Sequence, residues 1–275
     1  MKTKCKSPLP WFGADSQIAA QLAVLLDYCK HITIPFCGGM GILPHLKAKH
    51  IIANDLHEHV YNFYQVAKSK DGDGMRFREM CRQTLSHPSE LDLAAEILSG
   101  ETLVSTSPEY VRKAWAFWAQ CWIGRKGKGG TRYQGGKPSV RRAANGGNNA
   151  SRLKSAAKDL EIWADMFTNC EFACEDYREC LEKTKDISDN GIYLDPPGWV
   201  TAGTAYLYGP KNEQERVQFA KDVRKSVDRF KNARVVIRYG DEPLIRELYS
   251  GWNIIEGKSR TQANKTLGEL WITNG

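Results

Sequence analysis

The sequence has no apolar run long enough to cross a membrane and no Cys-x-x-Cys pair. The basic start, Met1 to Lys4, is not followed by an apolar stretch, so we expect no secretory signal. The 8 cysteines are scattered along the chain, and without an export signal they are expected to be reduced thiols in a cytoplasm. The spacing of Cys170, Cys174 and Cys180 differs from that of structural zinc sites, so no metal is expected.

Acidic residues are missing from one long segment. Between Gly124 and Lys158 there are ten Lys and Arg residues and no Asp or Glu. The whole chain has a formal net charge of +7, so the remainder carries about −3 (7 minus 10). A basic segment on a neutral-to-acidic body is typical of a protein that binds a polyanion.

The same segment is rich in glycine, with eight glycines from Gly124 to Gly147. A flexible linker is one interpretation of this composition. The aromatic and Asn residues among the glycines favour a basic loop, residues 124–150, that becomes ordered on DNA. The residues expected to contact DNA are Arg125, Lys126, Lys128, Arg132, Tyr133, Lys137, Arg141, Arg142 and Asn145.

The first part of the chain reads as a βαβ unit. Residues 31–35 and 51–53 are predicted strands, separated by a glycine-rich turn at 36–41 and a short helical stretch to about Lys49. A helix is expected from Leu56 to Lys68, with His57 and His59 as solvated helix residues. This order implies a parallel sheet and an α/β fold. Residues 75–122 are expected to be mainly helical, and further strands and helices follow to the end.

The run Gly191-Ile192-Tyr193-Leu194 is followed by Asp195-Pro196-Pro197. Two consecutive prolines cannot continue a helix or a sheet ladder, so the predicted strand must end there. The turn holds a carboxylate and a free backbone carbonyl side by side at the carboxyl end of a strand, where open α/β sheets bind ligands. Such an acceptor pair suits an exocyclic amine.

The glycine-rich turn lets backbone approach a ligand closely and is expected to face a helix N-terminus. Asp55 lies 17 residues beyond Gly38, at the end of the next predicted strand. A carboxylate at this place is suited to a ribose diol, as in nucleotide-binding α/β folds.

These motifs, in this order, resemble the Dam-like (D12 class) S-adenosylmethionine-dependent DNA adenine-N6 methyltransferases. The similar segments are Pro10 to Ser16, Pro35 to Gly41, Asn54-Asp55, Cys174 to Tyr177, Asp195-Pro196-Pro197, Ser259 to Thr261 with Asn264, and Glu269 to Asn274. The resemblance implies a Rossmann-like methyltransferase sheet formed by residues 1–70 and 159–275. It also implies an inserted, mainly helical target-recognition region at 71–158.

The resemblance implies roles for individual residues. Asp195, Pro196 and Pro197 would be catalytic. The cofactor S-adenosylmethionine would be bound by Trp11, Phe12, Gly13, Asp15, Pro35, Phe36, Cys37, Gly38, Gly39, Gly41, Asp55, Leu56, Asp176, Tyr177 and Asp195.

Two positions depart from the family pattern. Gly198 stands where the family has the Tyr that stacks on the flipped base, so Trp199, Tyr206 or Tyr208 is expected to hold the target base instead. Asp15 stands where the family usually has Lys, which bears on cofactor affinity.

The resulting hypothesis is a site-specific methyltransferase that acts on adenine N6 of double-stranded DNA. It would work as a monomer in the cytoplasm of a bacterial or phage-infected cell, with or without a cognate restriction nuclease. Alternatives are methylation of cytosine N4 or of adenine in RNA, or a cofactor-binding DNA-binding protein with impaired catalysis. Cytosine C5 chemistry is excluded because the chain has no Pro-Cys pair.

Overall fold

The computed structural model describes residues 5–11, 16–100, 108–124, 148–197, 206–260 and 266–275. Outside these ranges lie Phe12, Gly13, Asp15, Gly198, Trp199 and all the predicted DNA contacts from Arg125 to Asn145. The predictions for those residues therefore stay predictions.

A mixed sheet of seven strands forms the centre of the fold, in the order β3-β2-β1-β4-β5-β7-β6. The first five strands in this order are parallel, and β7 runs antiparallel between β5 and β6. The strands are β1 (His31–Ile34), β2 (His50–Asn54), β3 (Cys170–Ala173), β4 (Asn190–Leu194), β5 (Arg234–Gly240), β6 (Asn253–Arg260) and β7 (Thr266–Thr273). The predicted parallel α/β sheet is confirmed.

The strand order reverses between β1 and β4. From β1 the chain builds outward to β2 and β3 on one side and from β4 to β5 on the other. A crevice forms at the carboxyl ends of the strands at such a point, and open α/β sheets bind their ligands there. With its antiparallel β7 beside the parallel strands, this arrangement is a Rossmann-like sheet.

Among the described residues, four α-helices share a compact unit with the sheet: α1 (Ser16–Val24), α7 (Tyr177–Glu182), α8 (Glu213–Val227) and α9 (Pro243–Leu248). Their apolar side chains meet those of the central strands. The buried cluster includes Ile192 and Leu194 of β4, Val235 and Ile237 of β5, and Val223 of α8. Both faces of these strands are covered, which explains why they read as continuous apolar runs in the sequence.

The other compact unit is helical and includes α2 (Glu58–Lys68), α3 (Gly72–Gln83), α4 (Pro88–Ser99), α5 (Pro108–Ile123) and α6 (Asn149–Met166). Trp118 of α5 and Trp163 of α6 are fully or almost fully buried in it. Indole nitrogens also fasten the N-terminal segment: Trp163 Nε1 donates to the carbonyl of Lys6 at 2.7 Å, and Trp122 Nε1 donates to that of Pro8 at 3.2 Å.

Contacts within each unit divide the chain into residues 1–12, 38–40 and 57–168 for the helical unit, and 13–37, 41–56 and 169–275 for the sheet unit. Helix α2 and the glycine turn thus pack with the inserted helices. This division describes packing. The predicted boundaries at 70/71 and 158/159 concern which part recognises DNA, and they stay a prediction.

The predicted helix between the glycine turn and Lys49 is wrong. Only a single 3₁₀ turn, Leu43–His45, forms there. Gly38 and Met40 both have positive φ, at 42° and 52°, which α-helix does not allow, and Leu46 is already extended with ψ of 144°. Too few residues remain to nucleate a helix, so the β1–β2 crossover presents no helix N-terminus to a ligand.

The prediction that His57 and His59 are solvated is also wrong. His57 is buried and is the N-cap of α2, where its Nδ1 accepts the backbone N–H of His59 at 3.2 Å. His59 is half-buried, and burial, with the neighbouring His57 and Lys113, lowers its pKa to about 4. Its side chain is therefore neutral at physiological pH.

Among the helices of the described residues, none is both long and apolar enough to cross a membrane. Within the same described ranges, no three His, Cys, Asp or Glu side chains come together in a way that could hold a metal ion.

Candidate active site

The carboxyl ends of the central strands carry most of the predicted site residues of the sheet unit. Pro35 and Phe36 follow β1, Asp55 follows β2, and Asp195 follows β4. Because these strands are parallel neighbours, the three chain segments leave the sheet at the same edge. The structure thus brings together the ends of β1, β2 and β4 as predicted.

Asp195 lies beside a buried arginine. Arg238 Nη1 of β5 donates to Asp195 Oδ2 at 3.2 Å. The register explains this contact, because Leu194 is opposite Ile237 and the next residue of each strand is therefore also opposite. The Asp195 side chain is 35% exposed, whereas that of Arg238 is 9% exposed, so the carboxylate is accessible and its partner is not.

A second carboxylate completes this cluster. Glu269 of β7 accepts two hydrogen bonds from Arg238, from Nε to Oε2 at 2.9 Å and from Nη2 to Oε1 at 2.6 Å. Burial raises the pKa of the Asp195 carboxyl, Arg238 opposes this rise, and Glu269 adds to it. Breaking such a buried ion pair from one side typically costs about 3–5 kcal/mol.

Tyr206 lies near the turn that follows Asp195. Burial, and after it the Asp195 carboxylate, raise the pKa of Tyr206, Arg238 opposes the rise, and Asp55 adds to it. Gly209 packs closely against both Tyr206 and Pro197. A Cβ at this position would lie 2.9 Å from Cβ of Tyr206 and 3.5 Å from that of Pro197. Tyr206 thus lies near Pro197, and the charges of both predicted functional carboxylates contribute to its raised pKa.

The remaining residues of this region differ in exposure. Pro196 is buried and Pro197 is half-buried. Tyr208 is 53% exposed. Of the two tyrosines predicted to hold the target base, Tyr206 is half-buried near Pro197, whereas Tyr208 is exposed.

Asp55 is half-buried at the end of β2, and its backbone N–H donates to the carbonyl of Ala173 in β3 at 3.2 Å. Cys37 is buried nearby, and burial followed by the Asp55 carboxylate raises the pKa of its thiol well above the usual range. Cys37 is thus a neutral thiol beside Asp55. Leu56, also predicted to bind the cofactor, is 43% exposed.

Asn54 is a residue of this region that the sequence reasoning left without a role. Its buried side chain donates from Nδ2 to the carbonyls of Pro35 at 3.1 Å and Glu175 at 2.9 Å, and its Oδ1 accepts the N–H of Glu175 at 3.0 Å. One amide thus fastens the ends of β1 and β3 to the end of β2. In the sequence, the signal for this role was an Asn directly after the apolar run Ile51-Ile52-Ala53.

The acidic-aromatic segment after β3 has a structural role of its own. Asp176 is the N-cap of α7 and accepts the backbone N–H of Arg178 at 2.9 Å. Tyr177 is buried, with its ring centroid 5.0 Å from that of Phe36 and 5.6 Å from that of Phe219. Phe36 is half-buried, so it presents more of its ring to a ligand than Tyr177 does. Cofactor contacts of Asp176 and Tyr177 stay predictions.

Two glycines of the turn after β1 pack against Trp11 within the helical unit. A Cβ on Gly38 would lie 2.6 Å from Trp11 Nε1, and one on Gly39 would lie 2.6 Å from Trp11 Cβ. The carbonyl of Gly38 accepts the hydroxyl of the buried Tyr64 at 2.6 Å. These glycines are required by the indole, whatever else they bind, and Gly41 follows them as a half-buried residue.

The family model of the D12 class N6 adenine-specific DNA methyltransferases matches residues 141–263, somewhat less than half of the chain. The matched range includes Asp176, Tyr177, Asp195 and Arg238. The match confirms the predicted resemblance to this enzyme family, and the enzyme class predicted from the sequence agrees with it. Among curated proteins, none matches the chain.

Three solved structures are similar to the chain at low sequence identity. "Crystal Structure of PH0851" is 13% identical and covers 93% of this chain and 45% of its own, with a TM-score of 0.40. The rRNA methyltransferase aviRa from Streptomyces viridochromogenes is 12% identical and covers 98% and 90%, with a TM-score of 0.35. A possible methylase from Clostridium difficile 630 is 12% identical and covers 95% and 52%, with a TM-score of 0.41.

The chain thus spans about half the length of the first and third of these proteins.

Proposed function

We propose that this protein transfers a methyl group from S-adenosylmethionine to the N6 atom of adenine in double-stranded DNA. The observation that carries the proposal is the accessible Asp195 carboxylate at the end of β4, held by Arg238 at the point where the strand order reverses. The D12 family match over residues 141–263 supports the same chemistry.

The Asp195-Pro196-Pro197 turn supplies the acceptors that an amine needs. Adenine N6 is a poor nucleophile because its lone pair is delocalised into the ring. Hydrogen bonds from its two N–H groups to the Asp195 carboxylate and the Pro196 carbonyl would localise that lone pair for in-line attack on a methyl group. Positioning and electrostatics would supply most of the rate enhancement.

The sheet unit has groups that fit S-adenosylmethionine, which supplies an electrophilic methyl group when bound. Asp55 is a half-buried carboxylate at the end of β2, suited to hydrogen bonds with a ribose diol. Phe36 offers a half-buried aromatic face at the end of β1. Asn54 fixes the backbone that carries both of them. Trp11, Gly38 and Gly39 are proposed as further cofactor contacts on the sequence resemblance alone.

DNA is the proposed partner because of the basic segment between Gly124 and Lys158. Adenine in a duplex must leave the base stack to reach a carboxylate at a sheet edge, so the reaction requires base flipping. We place the enzyme in the cytoplasm of a bacterial or phage-infected cell and propose that it acts as a monomer. A role in restriction–modification, with a separate nuclease, is compatible with this proposal.

The test is methyl transfer from labelled S-adenosylmethionine to duplex DNA, followed by nucleoside analysis. We expect N6-methyladenine with the unmodified protein. Asp195→Ala should abolish the transfer and leave cofactor binding largely intact, because Asp195 acts on the amine. Asp189→Ala is the matched control, since Asp189 pairs with Lys30 at the opposite end of β4.

The alternatives give different results in the same assay. N4-methylcytosine in the product, or methylation of RNA alone, would replace the proposed target with one of the other two amines. Binding of cofactor and DNA without transfer would identify a catalytically impaired binding protein. Substantial turnover by Asp195→Ala would contradict the assignment of Asp195 as the catalytic residue.

A further inference from the structure

The arginine beside Asp195 is held in a single orientation by three hydrogen bonds. Glu269 accepts from Nε and Nη2 of Arg238 at 2.9 Å and 2.6 Å, which fixes the plane of the guanidinium group. Nη1 then donates to Asp195 Oδ2 at 3.2 Å. Because the guanidinium is planar and rigid, the position of Glu269 determines where Nη1 points.

Exposure separates the roles of the three groups. The side chains of Arg238 and Glu269 are each 9% exposed, so a substrate base cannot reach them readily. The Asp195 side chain is 35% exposed, so part of it is free to meet a ligand while Oδ2 is held by Arg238. The cluster has an accessible end and a buried support.

We propose that Arg238, held by Glu269, is a positioning residue that directs the Asp195 carboxylate toward the target amine and keeps it ionised. This inference rests on the proposed function and adds a part that the Asp-Pro-Pro turn alone does not contain. Strand β5 and the C-terminal hairpin, β6 with β7, thereby become part of the catalytic apparatus.

The charges around Asp195 explain why an arginine is needed. Glu269 from β7 adds negative charge, and Tyr193 of β4 and Tyr206 after the turn contribute phenols that interact with the carboxylate. Among the described residues around Asp195, Arg238 is the cation that opposes the rise in its pKa. Without it, the effect of Glu269 on the pKa of Asp195 would be unopposed, and Asp195 would be protonated at higher pH.

The experiment compares variants by the pH dependence of kcat and by KM. Arg238→Met removes the cation, Arg238→Lys keeps the charge without the fork, and Glu269→Gln removes the second carboxylate. Arg238→Met leaves the buried Glu269 carboxylate without its arginine and therefore risks misfolding. The double variant Arg238→Met/Glu269→Gln removes both charges of this buried pair and avoids that risk. Arg246→Met is the matched control, because Arg246 also bridges two carboxylates, Asp241 and Glu256, but on the surface.

We expect Arg238→Met to lower kcat by roughly 10- to 100-fold with little change in KM for DNA, because the carboxylate is misdirected in the bound complex. The acidic limb of its kcat profile should move to higher pH, since the raised pKa of Asp195 then rises further. Glu269→Gln should move that limb to lower pH. Arg238→Lys and the double variant should keep low kcat values, and Arg246→Met should behave as wild type.

A titration of ¹³C-labelled aspartate in the free protein gives a readout independent of activity. The Asp195 resonance, assigned with Asp195→Asn, should titrate at higher pH in Arg238→Met and at lower pH in Glu269→Gln. Identical Asp195 titration and pH limbs in wild type and Arg238→Met would overturn the inference, as would full kcat in the double variant. Wild-type protein that methylates no adenine would instead overturn the proposed function, and the titration would still decide whether Arg238 controls Asp195.

Discussion

Two carboxylates at the sheet edge have different surroundings, although both follow parallel strands. Asp195 is supported by an arginine and lies close to a second buried carboxylate. Asp55 lies beside the neutral thiol of Cys37. A carboxylate with a fixed cation suits a group that must be aimed at an amine. A half-buried carboxylate beside a neutral thiol suits hydrogen bonds to neutral hydroxyls.

Asp55→Ala should weaken the binding of S-adenosylmethionine. A hydrogen bond between a carboxylate and a hydroxyl contributes about 1.5–3 kcal/mol, and a ribose diol offers two of them. Isothermal titration calorimetry with the cofactor measures the loss, and the surface variant Asp189→Ala serves as the control. Unchanged affinity would mean that Asp55 does not hold the ribose.

Because Gly198 has no side chain, an aromatic residue at another position should stack on the flipped adenine. The sequence favours Trp199, and in the structure Tyr206 lies near Pro197 of the Asp-Pro-Pro turn, on the other side of Gly209. Loss of one base stack costs about 1–3 kcal/mol. Turnover and 2-aminopurine fluorescence of Trp199→Ala and Tyr206→Ala should both fall below those of Tyr208→Ala. Normal base extrusion in all three variants would disprove the idea that one of these aromatic side chains replaces the family's Tyr at position 198.

The positions of the Asp-Pro-Pro turn and of Asp55 could be predicted because each carboxylate directly follows a short apolar run in the sequence that forms a strand. Arg238 and Glu269 could not, because their partnership depends on β7 pairing next to β5 instead of β6. In sequence, Arg238 is one polar residue in an apolar run. It becomes interpretable only when the register brings it opposite Asp195.

At the scale of elements, the carboxyl ends of neighbouring strands are joined by side-chain hydrogen bonds where the backbone hydrogen bonds between the strands end. Asn54 does this for β1, β2 and β3 together. The 3₁₀ turn at Leu43–His45 shows the limit of pattern reading here. The sequence predicts a short helical stretch after the glycine-rich turn. With positive φ at Gly38 and Met40 and an extended Leu46, too few residues remain between them for a helix.

Asn54→Ala should destabilise the sheet edge. It removes three hydrogen bonds. The buried carbonyl of Pro35 loses a partner, at about 1–3 kcal/mol, and the half-buried backbone of Glu175 loses two bonds that contribute less. Denaturant unfolding and amide hydrogen exchange at Glu175 measure the effect. Asn190→Ala is the control, because the Asn190 side chain donates a solvent-exposed hydrogen bond to the carbonyl of Lys185 at 2.9 Å. Equal stability of the two variants would contradict the proposed tie.

The whole molecule combines a sheet unit with chemistry at one edge and a helical unit whose sequence continues into the basic segment. Charge and chemistry thus occupy different parts of the sequence. Changes in the basic segment are therefore expected to alter DNA affinity without altering cofactor affinity.

Arg141→Gln/Arg142→Gln should weaken DNA binding and reduce its dependence on salt. If both residues contact phosphates, the slope of log K against log salt should fall by about 1.8, at about 0.9 for each phosphate. Lys30→Gln/Lys47→Gln is the charge-matched control, since both lysines pair with aspartates in the sheet unit. A slope equal to that of the control would favour the linker interpretation of the glycine-rich segment.

The pairing of β1 with β4 also determines the order in which the chain can fold. Lys30 and Asp189, at the start of these strands, are 159 residues apart in sequence, and the inserted helices occupy most of that distance. Helix–helix contacts between near neighbours such as α4 and α5 close short loops and form early, whereas the β1–β4 pair must wait for a long loop to close. Glu269 arrives later still during synthesis. We therefore expect a nascent chain to form its inserted helices before β1 pairs with β4, and Arg238 to pair with Glu269 only after β7 has been synthesised.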